Sequence, residues 1–283
     1  MNCGPFLSRV LMALFMLLFA GASAARAERD VIIFADFACT EAAAGDPDDC
    51  LAVKALQDAQ NINILAVVAS GGNATRQVSH RLGRMLFPDL RILPGSNPRV
   101  RWRTKTHEIV ADLAMGAGAG VSVLVLSPAG DFAMTLRQRP RLLDVIKDVV
   151  LVAGRAPGDR FEMVPGGRVL RDMNYEKDRR AMQEVLPRLF RHRVATRFVG
   201  FRAAMNTTLP EGFMDHRFVP EAQRAWARKT RFWFGARLPP FDVVAAMALT
   251  RYVRHLQCHP VKIEAGRDLL VRPARRSYFS FCD

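Results

Sequence analysis

Asp36, Asp46, Asp48 and Asp49 place four carboxyl groups within fourteen residues of one another. They follow an apolar run at 31–34, Val-Ile-Ile-Phe, which reads as a buried strand bounded by turn residues. Carboxylates at the C-terminal edge of such a strand lie where open α/β sheets bind ligands. So many like charges stay ionised together only when a cation or several donors compensate them. Oxygen-only donors favour a hard cation, Ca²⁺ or Mg²⁺. The competing reading is an Asp-rich turn that caps the next helix.

The same kind of residue recurs at the ends of other apolar runs. Asn73 ends the strand predicted at 62–69, after Ser-Gly-Gly. Gly130 and Asp131 follow the one predicted at 121–126. Asp172 and Asn174 come after the one at 149–153, and Asp242 precedes the last predicted helix. Each has a plain alternative. Asn73 suits a turn because Asn tolerates the left-handed region. Asp172, Asn174 and Asp242 suit helix N-caps.

The elements that must position these residues are strands at 31–34, 62–69, 90–93, 121–126, 149–153 and 197–201. Between and after them lie helical patterns at 74–85, 107–115, 132–137, 177–188, 218–234 and 243–256. Strands alternating with helices indicate a mostly parallel open sheet flanked by helices, with right-handed crossovers. The Gly/Pro-rich stretch 156–172 reads as a mobile loop over the ligand edge.

Residues 1–27 read as a signal peptide. Arg9 supplies the positive start, 10–20 the apolar core, and Ala25-Arg26-Ala27 a small-residue cleavage site. The remaining 256 residues, 28–283, suit one domain, periplasmic or secreted. The chain carries a formal charge of +14, and +12 without Arg9 and Arg26. The Arg residues are scattered and no nucleic-acid motif accompanies them, so a solvated basic surface is favoured over a specific nucleic-acid partner. Cys39, Cys50, Cys258 and Cys282 permit two disulfides, and local pairing within each couple is the simplest choice.

Taken in order, these motifs resemble the nucleoside hydrolase family, the inosine–uridine-preferring N-ribohydrolases. Gly45-Asp46-Pro47-Asp48-Asp49 matches a variant of the family's opening acidic motif. Residues 65–73 resemble its second strand with a terminal Gly-Asn. Residues 123–133 resemble its strand–Gly-Pro-x-Thr-Asn–helix element, and 149–154 its segment ending in Met-Gly-Gly. Asp172-Met173-Asn174 resembles Glu-Phe-Asn, and Phe241-Asp242 stands where the family has His-Asp.

The resemblance implies a single nucleoside hydrolase-like α/β domain that binds a small nucleoside and Ca²⁺. Asp36 and Asp49 would be carboxylate ligands of the metal, Asp49 bidentate. Gly130 would offer its backbone carbonyl, and Asp242 would close the shell. Asp36 would also accept the proton of the attacking water. Asp48, Asn73 and Asn174 would hold ribose hydroxyls, assisted by Asp172. Phe241 replaces a His that protonates the leaving base in many members, and could stack on the base instead. The resemblance leaves open a nucleoside- or metal-binding protein without turnover. A homo-oligomer also stays open.

Overall fold

The computed structural model describes residues 29–40, 46–96, 105–118, 120–159, 172–207, 240–250 and 256–283. The expected signal peptide, the predicted helix at 218–234 and most of the predicted loop at 156–172 lie outside the described residues.

The chain runs β1 (Arg29–Ala35), α1 (Asp48–Gln57), β2 (Ile62–Ala69), α2 (Arg76–Leu86), β3 (Ile92–Pro94) and α3 (Lys105–Gly116). It continues through β4 (Val121–Val125), α4 (Gly130–Gln138), β5 (Ile146–Val152), α5 (Met173–Lys177), α6 (Arg179–Arg191), β6 (Ala195–Val199) and α7 (Phe201–Asn206). Helix α8 (Phe241–Leu249) and strands β7 (Cys258–Ala265), β8 (Leu269–Pro273) and β9 (Phe279–Cys282) complete the described elements. The strands form one nine-stranded sheet in the order β3-β2-β1-β4-β5-β6-β9-β7-β8. Strands β1 to β6 and β9 pair in parallel, and β7 pairs antiparallel with both β8 and β9. The expected mostly parallel sheet is therefore present, with helices on both faces.

Strand β1 shows how the two layers arise. Val31, Ile33 and Ala35 pack with α1 and α8 on one face, and Ile32 and Phe34 pack with α3, α4 and α6 on the other. Side chains of a strand alternate between faces, so a strand covered on both sides reads as a continuous apolar run.

Helix α8 is almost wholly apolar and buried, and charged groups from elsewhere in the fold hold both its ends. At its start, Asp48 accepts hydrogen bonds from the backbone N–H groups of Asp242 (2.9 Å) and Val243 (3.4 Å). At its end, Arg29 and Arg197 donate to the carbonyls of Leu249 and Ala248 at 3.1 and 2.7 Å. Asp148 accepts from Arg197 and from Ser122, and lies 3.8 Å from Arg29. These bonds answer the unpaired backbone groups that every helix leaves at its termini. Asp148→Ala should leave two largely buried guanidinium groups without their carboxylate. The expected loss is about 2–4 kcal/mol, below the fully buried case because the Arg side chains keep some solvent contact. Urea unfolding, with an unchanged slope, would measure it.

Several boundaries differ from the sequence reading: the helix expected at 243–256 runs from Phe241 to Leu249, and the one expected at 177–188 is divided at Asp178 between α5 and α6. The strand expected at 197–201 ends at Val199, and Phe201 opens α7. The three C-terminal strands were not foreseen. Most of β7 is exposed, so its alternation carries little apolar signal. The expected Cys258–Cys282 pair joins β7 to β9, where the two residues are register partners 4.0 Å apart at Cα. Among the described residues no helix is long and apolar enough to cross a membrane.

Candidate functional site

Strands β1 and β4 are neighbours, but the chain leaves β1 toward β2 and leaves β4 toward β5. This reversal opens a crevice at the carboxyl ends of β1 and β4, the position where doubly wound sheets bind ligands. Asp36 is the first residue beyond β1 and is buried. Its backbone N–H donates to Asp49 Oδ1 at 2.9 Å, and its Oδ2 accepts from the backbone N–H of Asn73. A Cβ at Gly72 would stand 1.7 Å from Asp36 Oδ2, so glycine alone lets the β2 loop close on this carboxylate.

Asp49 lies in the first turn of α1 and is fully buried. Two constraints bring that turn back to β1. Ala38 and Asp46 form an antiparallel bridge, with the Asp46 N–H on the Ala38 carbonyl at 2.7 Å. The disulfide expected between Cys39 and Cys50 spans the same loop, with 6.2 Å between Cα atoms. Asp46 Oδ2 accepts from the Asn73 amide at 2.8 Å. Asp242, the second residue of α8, is also buried and feels the charges of Asp49, Asp48, Asp46 and Asp36.

Burial raises the pKa of Asp36 to about 6, against the opposing pull of the Lys177 ammonium. Asp48, Asp49 and Asp242 are pushed well above the usual carboxylate range, first by burial and then by their carboxylate neighbours. Among the described residues, Asp36 Oδ1 and Asp49 Oδ2 are buried oxygens with no hydrogen-bond partner. Unpaired buried oxygens of this kind call for an explanation, because leaving one unsatisfied is costly. Among the described residues, no set of three or more carboxylate, His or Cys side chains is drawn together closely enough to hold a metal ion as it stands. The donor set nevertheless fits a hard cation. It is all oxygen, and two of its buried oxygens have no hydrogen-bond partner among the described residues.

The remaining residues singled out by sequence lie around this centre in different ways. Asp48 faces the α8 backbone with both oxygens. Asn174 donates through Nδ2 to the carbonyls of Leu126 and Val152 at 2.7 and 3.1 Å, and so ties together the ends of β4 and β5. Asp172 caps α5 by accepting from Tyr175 N–H at 3.0 Å, as the N-cap alternative anticipated, and accepts from Gly154 N–H at 2.6 Å. Burial raises its pKa to about 6. Gly154 has φ +93°, a left-handed turn that brings its N–H to that carboxylate. Phe241 opens α8, half-buried, with its ring 6.2 Å from that of Phe201. Gly130 is the first residue of α4, and a Cβ there would meet Asp178 Oδ2 at 2.8 Å. A helical residue directs its carbonyl along the helix axis. The structure thus joins Asp36 directly to Asp49 and Asn73 and sets Asp242 within reach of their charge, while Gly130 lies at the start of α4 beside Asp178.

Two contributors have no role assigned from sequence: Lys177, which the sequence does not single out, and Asp131, which it marks only at the end of its strand. Lys177, at the end of α5, donates to Asn73 Oδ1 at 2.6 Å. Asp131 accepts from the N–H and hydroxyl of Ser96 at 2.7 and 2.6 Å and meets His107 Nε2 at 2.9 Å. Ser96 in turn takes the Gly71 N–H on its carbonyl at 3.2 Å, beside the Gly72 that Asp36 requires. Nothing local in the sequence marks Lys177, because its partner lies 104 positions away.

The described chain is a doubly wound α/β sheet with buried carboxylates at its switch point. Neither a family model nor a curated protein matches the chain by sequence. Solved structures do match by shape. A purine-preferring ribonucleoside hydrolase from Gardnerella vaginalis superposes with a TM-score of 0.65 at 14% identity, covering 90% of this chain and 93% of that one. An inosine–uridine preferring nucleoside hydrolase from Bacillus anthracis gives 0.60 at 12% identity, with coverages of 90% and 93%. The type III effector protein XopQ, complexed with adenosine diphosphate ribose, gives 0.59 at 15% identity, with coverages of 95% and 90%. The chain has the nucleoside hydrolase-like fold that its motifs implied.

Proposed function

We propose that this protein hydrolyses the N-glycosidic bond of ribonucleosides or related N-ribosides, as an exported, Ca²⁺-dependent enzyme. The observation that carries the reading is the pair of unpartnered buried oxygens, Asp36 Oδ1 and Asp49 Oδ2, at the switch point of a nucleoside hydrolase-like sheet. Asp36, Asp49 and Asp242 are the residues that would hold Ca²⁺. The ion would supply charge that favours ionisation of a water nucleophile and orients it.

Asp36 is the proton acceptor. Its carboxylate is buried at the end of β1, and its Oδ1 makes no hydrogen bond among the described residues, so it can accept a proton from a water held beside it. Asn73 sits next to Asp36 through its backbone N–H and is placed to orient the sugar. Asn174 and Asp172 stand at the far side of the crevice, at the ends of β4 and β5, for the remaining hydroxyls. The two disulfides support an oxidising destination, periplasmic or secreted.

Phe241 offers an aromatic face but no proton to a leaving base. A riboside with an activated leaving group, such as p-nitrophenyl riboside, should therefore be hydrolysed faster than inosine or uridine. Phe241→His should raise the rate on the natural nucleosides and narrow that gap. Equal wild-type rates on both substrates would mean that another group protonates the base. Phe241 also favours a second reading, a nucleoside-binding protein of this fold without turnover.

A reducing-sugar assay across a nucleoside panel tests the proposal directly. Ribose release that stops in EDTA and returns with Ca²⁺ is the expected result. Tight nucleoside binding without release would select the second reading.

A further inference from the structure

Lys177 bridges the crevice. It ends α5, which follows β5, whereas its partner Asn73 follows β2. In the sheet, β1 and β4 lie between β2 and β5. Three strand spacings amount to about 14 Å. The link from α5 to the β2 loop therefore passes over the carboxyl ends of the two strands that flank the switch point.

The bond has consequences on both sides. Lysine offers donors and no acceptor, so it fixes Asn73 with Oδ1 toward the ammonium. Asn73 Nδ2 is then directed at Asp46, 2.8 Å away. The Asn73 amide is engaged at both ends while Lys177 stays in place. The ammonium also acts on Asp36, where it opposes the effect of burial more than any other group. A divalent ion held by Asp36 and Asp49 would occupy the same negative field and repel it. Four rotatable methylenes let the ammonium leave without backbone movement.

We infer that Lys177 is a tethered counter-cation: it holds the acidic crevice and Asn73 in place when no divalent ion is bound, and competes with that ion for the carboxylates. The inference rests on the metal reading proposed above. Lys177 is a positioning residue in this account, since it acts through Asn73 and Asp36.

Ca²⁺ titration calorimetry on the full-length wild type, Lys177→Met and Lys177→Arg tests it, with thermal melts in EDTA and in saturating Ca²⁺. Lys177→Met should bind Ca²⁺ about tenfold more tightly, the size expected when a unit charge a few ångströms from a divalent ion is removed, even at the dielectric constant of water. Lys177→Arg keeps the charge and should stay within about threefold of wild type. In EDTA the Met variant should melt below wild type, and in Ca²⁺ the difference should shrink or reverse. A merely structural role would lower both melts equally.

Lys177→Gln gives the same comparison if the Met variant fails to fold. Wild type that binds Ca²⁺ while the Met and Gln variants bind it equally or more weakly overturns the inference and leaves the metal reading intact. Absence of Ca²⁺ binding in every form overturns both. Binding confined to the variants supports the inference in its strongest form.

Discussion

Asp49→Ala is expected to abolish Ca²⁺ retention and ribose release together. Asp49 is fully buried, one of its oxygens holds the Asp36 N–H, and the other has no partner. Removing it takes away a proposed ligand and the bond that orients the next one. The loss should exceed the roughly 10–100-fold that follows when only a partner behind a metal ligand is removed. Asp242→Ala should behave in the same way. The stability signature should have the opposite sign. In EDTA, Asp49→Ala deletes a carboxyl that burial and Asp36 both disfavour as an anion, so the metal-free variant should melt no lower than wild type. Asn174→Ala should keep the metal, because its Nδ2 reaches only the carbonyls of Leu126 and Val152 among the described residues, and should raise KM by loosening the end of the crevice. Elemental analysis, melts in EDTA and the sugar assay separate these outcomes. Wild-type turnover by Asp49→Ala would show that the residue assignment is wrong.

How much of this was legible beforehand follows from where the information sits. The central strands were legible because sheets covered on both faces leave unbroken apolar runs, and 62–69 was placed at its observed bounds. The acidic loop was legible because its carboxyl groups are close in sequence. Cys39 and Cys50 were legible as a pair because they bracket that loop. What stayed hidden depends on long-range partners. Asp48 reads as a candidate for a sugar hydroxyl, yet its oxygens meet a helix that begins 194 positions later. Lys177 has the same character. The C-terminal strands were silent for a different reason: β7 is largely exposed, and β8 and β9 are only five and four residues long. They still brace the site. Tyr175 of α5 donates to the Gly266 carbonyl at 2.7 Å, and Arg155, just after β5, pairs with Asp268 at 2.6 Å. The edge hairpin thus steadies the segment that carries Asp172, Asn174 and Lys177.

The pH dependence of stability should be steep without metal and weak with it. In the metal-free chain, burial raises Asp36 from 3.8 to about 6 and raises Asp48, Asp49 and Asp242 as well. Asp172 shifts the same way, to about 6. Between the unfolded and folded values the native state binds more protons than the unfolded chain. Stability therefore falls as pH rises through roughly 4 to 7, the reverse of an ion-paired carboxylate. Moving one carboxyl from 3.8 to about 6 corresponds to roughly 3 kcal/mol. For a chain of this size each kcal/mol moves the midpoint by about 2–4 °C. EDTA-treated protein should then melt on the order of 5–10 °C higher at pH 5 than at pH 7.5. Saturating Ca²⁺ should flatten the slope, because the ion holds its ligands ionised in the native state and stabilises that state more as pH rises. The two melting curves should converge toward pH 5 and separate toward pH 7.5, with the Ca²⁺ curve above. EDTA-treated protein that melts higher at pH 7.5 than at pH 5 would mean that the carboxylates are compensated without a metal, and the cation would lose its place in the site.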